Sequence, residues 1–206
     1  MINKLKTLNA TTLRWLKISV FILALIPLAR LIIAAYYDSL GANPIEKITH
    51  RTGYWTLAFL LITLSITPLR RLTGWSWLAR FRRMIGLFSF FYASLHFLTY
   101  LVLDQFFDWA NISKDIIKRP YITVGFAAFV LLIPLAITST NRMTKWLGGK
   151  RWRLLHSLIY PIAIGGVLHF WWLVKKDITE PLNFTLLLSI LFTIRLVYWW
   201  RGIVKS

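Results

Sequence analysis

Residues 151–173 read RWRLLHSLIYPIAIGGVLHFWWL. Two arginines and a tryptophan open a run of about twenty mostly apolar residues, the length that carries a helix across a bilayer's hydrocarbon. Within that run sit His156 and His169. Imidazole is costly to place in hydrocarbon and titrates near neutrality, so its presence asks for a partner or a function.

The same apolar pattern recurs outward from this stretch. The 206 residues are 57% hydrophobic and 16% aromatic, and spans are predicted over 13–37, 53–68, 83–103, 120–138, 153–174 and 183–200. The expected fold is an all-α integral membrane bundle of six helices, forming one domain over residues 1–206. The second span is short and is expected to end at Pro68, whereas Pro27, Pro134 and Pro161 fall inside spans, where neighbouring groups can satisfy the carbonyls they free. The N-terminal segment starts basic, as a signal peptide does. Its apolar run is about twenty-five residues and lacks a small-residue cleavage pattern, so a retained first span is expected. The absence of cysteine excludes disulfides, iron–sulfur clusters and thiolate metal sites.

A net charge of +18 could suggest nucleic acid, but repeated apolar runs do not belong to a basic DNA-binding surface. The charges instead sort by side. Seventeen Lys and Arg residues, from Lys4 and Lys6 through the loops around Arg70–Arg83 and Arg142–Arg153 to Lys205, share one side with no acid. All seven acids, Asp38, Glu46, Asp104, Asp108, Asp115, Asp177 and Glu180, fall in or beside the other three loops. The positive-inside rule then places both termini in the cytoplasm, with anionic lipid as partner and no nucleic acid. Trp75, Trp77, Trp171, Trp172, Trp199 and Trp200 fall at span ends, as interfacial aromatics do.

Three of four histidines lie in spans, which contain no Asp or Glu to form a proton path; metal or haem ligation is the reading this favours. His156 and His169 are about 20 Å apart along a helix and cannot both be axial ligands of one iron. His96, in the third span, lies about 20 Å from the cytoplasmic end, against about 24 Å for His169 and about 5 Å for His156. His96 and His169 therefore match in depth, and His156 has no histidine opposite. A regular helix would also set His156 and His169 roughly 140° apart. Gly165 and Gly166 either admit a flat macrocycle or allow close helix packing. His50 is expected in an outer loop, solvated or capping, or touching a partner or small cofactor. Arg82, Arg83, Arg151 and Arg153 are explained by topology, with a propionate, phosphate or quinone as the other reading. No GxGxxG or P-loop occurs, so the chain by itself is not an NAD(P)H reductase.

The stretches GANPIEKITHRTGYWTLAFLLITLSITPLRRL, RRMIGLFSFFYASLHFLTY, KRPYITVGFAAFVLLIPLAITSTNRMTKWLGGKRWRLLHSLIY and GGVLHFWW together resemble the ferric reductase-like transmembrane family. Within it they are similar to the haem-binding membrane subunits of bacterial periplasmic methionine sulfoxide reductase systems. The resemblance implies an inner-membrane b-type cytochrome holding haem b, and FMN on the family's account alone. It implies electrons taken from membrane quinol and passed to a periplasmic molybdenum-cofactor subunit, MsrP, which performs the catalysis. His96, His156 and His169 match the family's haem-associated histidines, His96 with His169 at an outer site and His156 at an inner one. Wider relatives carry a second histidine on the third helix; Arg83 stands at that spacing here, which leaves one haem, or an inner one with an unusual second ligand. The alternatives from other classes are a histidine-containing proton or solute transporter and a structural membrane anchor.

Overall fold

The computed structural model describes residues 8–203, and every regular element among them is helical. Lys4, Lys6 and Lys205, counted above with the basic side, lie outside the described residues. In chain order the helices are α1 (Ala10–Tyr36), α2 (Pro44–Thr73), α3 (Arg82–Leu98), α4 (Trp109–Lys118), α5 (Pro120–Ile137), α6 (Asn141–His156), α7 (Ile159–Leu173) and α8 (Thr179–Ile203). Six stretches are long and apolar enough to span a membrane: α1, α2, α3 with its extension to Asp104, α5, α6 together with α7, and α8.

Helix α2 is the centre of the bundle and packs against α1, α3, α7 and α8. Its Leu60, Leu61 and Leu64 are almost fully buried. Small groups bring α3 close: the Ser89 hydroxyl donates to the Thr56 carbonyl at 3.0 Å, and a Cβ on Gly86 would sit 3.6 Å from Thr63. The outer faces stay apolar toward lipid, with Phe21, Ile22, Leu23, Ile32 and Ile33 exposed on α1 and Leu186, Ile190 and Leu196 on α8.

Contacts at the two ends show helices alternating in direction. Thr49 meets Thr99, and Arg51 approaches Glu180, at one end; Arg83 donates to Asn141 at 2.5 Å, and Trp152 to the Thr138 carbonyl at 3.0 Å, at the other. The seven acids all belong to the first of these, the acidic end: Glu46 and Glu180 in the first turns of α2 and α8, and the others in the connections α1–α2, α3–α5 and α7–α8.

Prolines reshape three helices. On α1, beside Pro27, the Tyr92 hydroxyl accepts from the Leu28 N–H at 3.2 Å and donates to the Ala24 carbonyl at 2.8 Å, groups a regular helix would pair directly. Tyr92 has no solvent exposure and docks α1 onto α3. The second span does not stop at Pro68: α2 runs from Pro44 to Thr73 and ends on Gly74 at φ 74°. The carbonyl that Pro68 leaves without its usual donor is that of Leu64, and Arg195 of α8 donates to it. At its other end α2 begins nine residues before the expected 53, capped by Asn43 with Pro44 in the first turn, so His50 is helical and half-buried rather than in a loop.

The fifth span also departs from expectation. It begins at Asn141 rather than 153, bends at Gly148 (φ 73°, ψ 153°) and tightens at Ser157–Leu158 before α7. Pro161 has no N–H for the Ser157 carbonyl, and the Tyr160 N–H takes it instead at 3.1 Å. His156 and His169 therefore stand on separate helices, and the 140° offset of a single regular helix does not apply.

Candidate functional site

His96 comes from α3, one turn before that helix widens into five-residue spacing over Thr99–Asp104. The Thr99 hydroxyl donates to the His96 carbonyl at 2.7 Å at the start of this wider turn. The imidazole lies against α2, its Nδ1 2.9 Å from the Thr49 carbonyl oxygen. A carbonyl only accepts, so Nδ1 carries the proton and Nε2 keeps its lone pair. His169 on α7 repeats this arrangement against α5, with Nδ1 donating to the Tyr121 carbonyl at 2.6 Å.

Each accepting carbonyl stands four residues before a glycine: Thr49 before Gly53, and Tyr121 before Gly125. Side chains on a helix lean toward its N-terminus, so residue i+4 covers the carbonyl of residue i. Glycine uncovers it. A Cβ on Gly53 would lie 3.0 Å from His96 Cε1, and one on Gly125 would lie 2.7 Å from His169 Nδ1. These glycines are the positions that reading the sequence did not single out; their visible signal is a glycine four residues after a polar or aromatic residue inside an apolar run. Gly165 and Gly166, which were singled out, face Val124 of α5 and Leu57 of α2 and serve close packing.

The two imidazoles meet. Their ring centroids are 6.1 Å apart, with planes at 79°. Two metal–nitrogen bonds of about 2 Å, plus about 1 Å from each nitrogen to its ring centre, require about 6 Å between rings flanking one metal. Among the described residues no third histidine, cysteine or carboxylate joins them to form a metal-binding group. Two imidazoles alone suit a metal that arrives with its own in-plane donors, which is the ligand set of a bis-histidine haem. Beside them α3 and α5 are joined by aromatic contacts, Phe97 with Phe126 and Phe129 and Phe90 with Phe129, at 4.9–6.1 Å.

His156 is not brought to this pair. It ends α6 at the basic end, stacked on Trp152 at 3.9 Å, with Nε2 3.0 Å from the Thr138 hydroxyl. That hydroxyl already donates to the Pro134 carbonyl at 2.6 Å, so it accepts from Nε2–H and the free lone pair of His156 is on Nδ1. The charges of Arg82 and Arg83 act on its ring, and no second histidine faces it among the described residues. His50 lines a cavity of about 370 Å³ at the acidic end with Glu46, Arg51, Tyr54 and Glu180.

The chain matches known proteins along most of its length. Residues 52–167 match the family described as "Ferric reductase like transmembrane component". The chain is 56% identical over 193 residues to the "Protein-methionine-sulfoxide reductase heme-binding subunit MsrQ" of Herminiimonas arsenicoxydans, covering 93% of this chain and 88% of that one. Proteins of the same description from Ralstonia nicotianae and Rhodospirillum rubrum are 51% and 54% identical, over 93% and 88% of this chain and 89% and 87% of theirs. With more than half of its length matched by the family and relatives this similar along nearly all of it, the chain belongs to the MsrQ proteins of the ferric reductase-like transmembrane family.

Proposed function

We propose that this chain is the haem-binding membrane subunit of a protein-methionine-sulfoxide reductase system, a b-type cytochrome carrying electrons from membrane quinol to a periplasmic catalytic subunit, MsrP. The observation that carries the reading is the His96–His169 pair, 6.1 Å apart with both Nδ1 protons held by backbone carbonyls. A haem bound there supplies one-electron chemistry. The protein's own part is to leave both Nε2 lone pairs free, and to raise their basicity through the Nδ1–H bonds to Thr49 and Tyr121. The apolar bundle around them keeps the local dielectric low, and this sets the potential along with the axial ligands.

His156, with Trp152, Arg82 and Arg83 around it, is the proposed second, inner position. The arginines suit propionates there, as does topology alone. FMN, the inner membrane of a bacterium and anionic lipid as a neighbour rest on the family and on charge segregation. So does the single domain over 1–206 with both termini cytoplasmic. The catalytic reduction of methionine sulfoxide belongs, on this reading, to the partner.

Purified full-length protein is expected to give a reduced b-type spectrum, with haem and flavin contents fixed by pyridine haemochrome and fluorescence assays on one sample. His96→Ala and His169→Ala should each abolish low-spin bis-histidine character. Full retention of that character in both variants overturns the assignment.

A further inference from the structure

At the basic end, between α2, α7 and α8, is a cavity of about 450 Å³ that the haem reading does not use. Two guanidinium groups line it, Arg71 and Arg195, with aromatic walls from Tyr160, Tyr198 and Trp199. Arg195 lies over the Tyr160 ring at 5.4 Å and Arg71 over Tyr198 at 5.1 Å. Among the described residues no carboxylate lines the cavity.

Arg71 in the last turn of α2 has an ordinary explanation in topology and in the helix dipole. Arg195 does not. It stands eight residues before the end of α8, roughly 12 Å into the span and beyond the last turn where the dipole acts. Its terminal nitrogens donate to neutral oxygens only, the Leu64 carbonyl and the Tyr160 hydroxyl at 3.4 Å, and its buried Nε has no partner among the described residues. The carbonyl bond serves the break at Pro68 and leaves the charge uncompensated. A second cation placed beside it makes the deficit larger. Intramembrane charges pair with one another or with backbone carbonyls; one carbonyl bond leaves the Arg195 Nε unpartnered, and the planar fork of arginine favours phosphate.

We propose that this cavity binds the phosphate group of a ligand with an apolar or aromatic tail, Arg71 and Arg195 holding the phosphate and Tyr160, Tyr198 and Trp199 the adjoining part. The phosphate can belong to a lipid headgroup or to a soluble phosphate monoester, and the inference stands apart from the haem site. The test is a phosphorus NMR titration of full-length protein in uncharged detergent, with phosphatidylglycerol in one arm and phenyl phosphate in the other. At least one probe is expected to bind, and which one binds identifies the source. Arg71→Gln and Arg195→Lys should each weaken that binding about tenfold, whereas Arg142→Gln, outside the cavity, should not. Arg71 is exposed at a helix end, so its variant decides the matter even where Arg195→Lys folds poorly. Absence of binding by both probes, or binding unchanged in Arg71→Gln, overturns the proposal.

Discussion

At Gly125 a single methyl group meets a pinned ring. The Cβ of alanine there would lie 2.7 Å from His169 Nδ1 and 2.9 Å from Cε1, and the imidazole cannot swing aside without losing its bond to the Tyr121 carbonyl. Gly125→Ala is therefore expected to lower haem retention several-fold and to shift the midpoint potential. Gly53→Ala, whose nearest contact would be 3.0 Å, should do the same more weakly. Haem-to-protein ratio and redox titration measure both; a Gly125→Ala protein matching wild type in each would remove the carbonyl–glycine account. Tyr92 acts at the same scale on stability. Phenylalanine there leaves the Leu28 N–H and the Ala24 carbonyl without their shared hydroxyl, a loss of about 1–2 kcal/mol to be read by unfolding in detergent.

Among elements, the break at Pro68 couples α2 to α8. Pro68→Ala restores a donor for the Leu64 carbonyl, so Arg195→Gln should cost less in that background than alone. A coupling of about 1 kcal/mol in the double-mutant cycle is expected, and additivity would show that Arg195 does not serve this carbonyl. The start of α8 has a different device: the Asp177 carboxylate is hydrogen-bonded by the Thr179 side chain and accepts from the Thr179 N–H at 3.0 Å, and these bonds, the side-chain one foremost, hold its pKa below the ordinary carboxylate value. A depressed carboxylate stabilises above its unfolded pKa, and that contribution is lost as pH falls through the lower folded value. Amide exchange at Thr179, corrected for the intrinsic pH dependence, should accelerate in that acid range and be indifferent to pH in Asp177→Asn.

At the scale of the whole molecule, acids at one end and uninterrupted basic loops at the other make orientation a matter of charge. A reporter fused after residue 206 is expected to be active only on the cytoplasmic side; periplasmic activity would reverse the orientation proposed. The six spans and the all-helical class were legible because apolar length and charge segregation act over whole segments and survive errors of several residues. The matched depth of His96 and His169 followed from rise per residue. What escaped that reading was local. Pro68 signals a stop when seen alone, yet Arg195, more than a hundred residues later, supplies the missing donor. The polar neighbours of His50 read as a loop, yet they belong to a helix that Asn43 and Pro44 begin.

Sequence by itself determined the class, the number of spans and the separation of charge, since burial in lipid is decided by composition over about twenty residues, and it offered the intramembrane histidines as candidate ligands. Only the tertiary structure decided which imidazole faces which, at 6.1 Å, and which backbone carbonyl orients each. Those depend on how α2 meets α3 and α5 meets α7. Gly53 and Gly125 allow each contact, but their role is visible only once the opposing ring is in place.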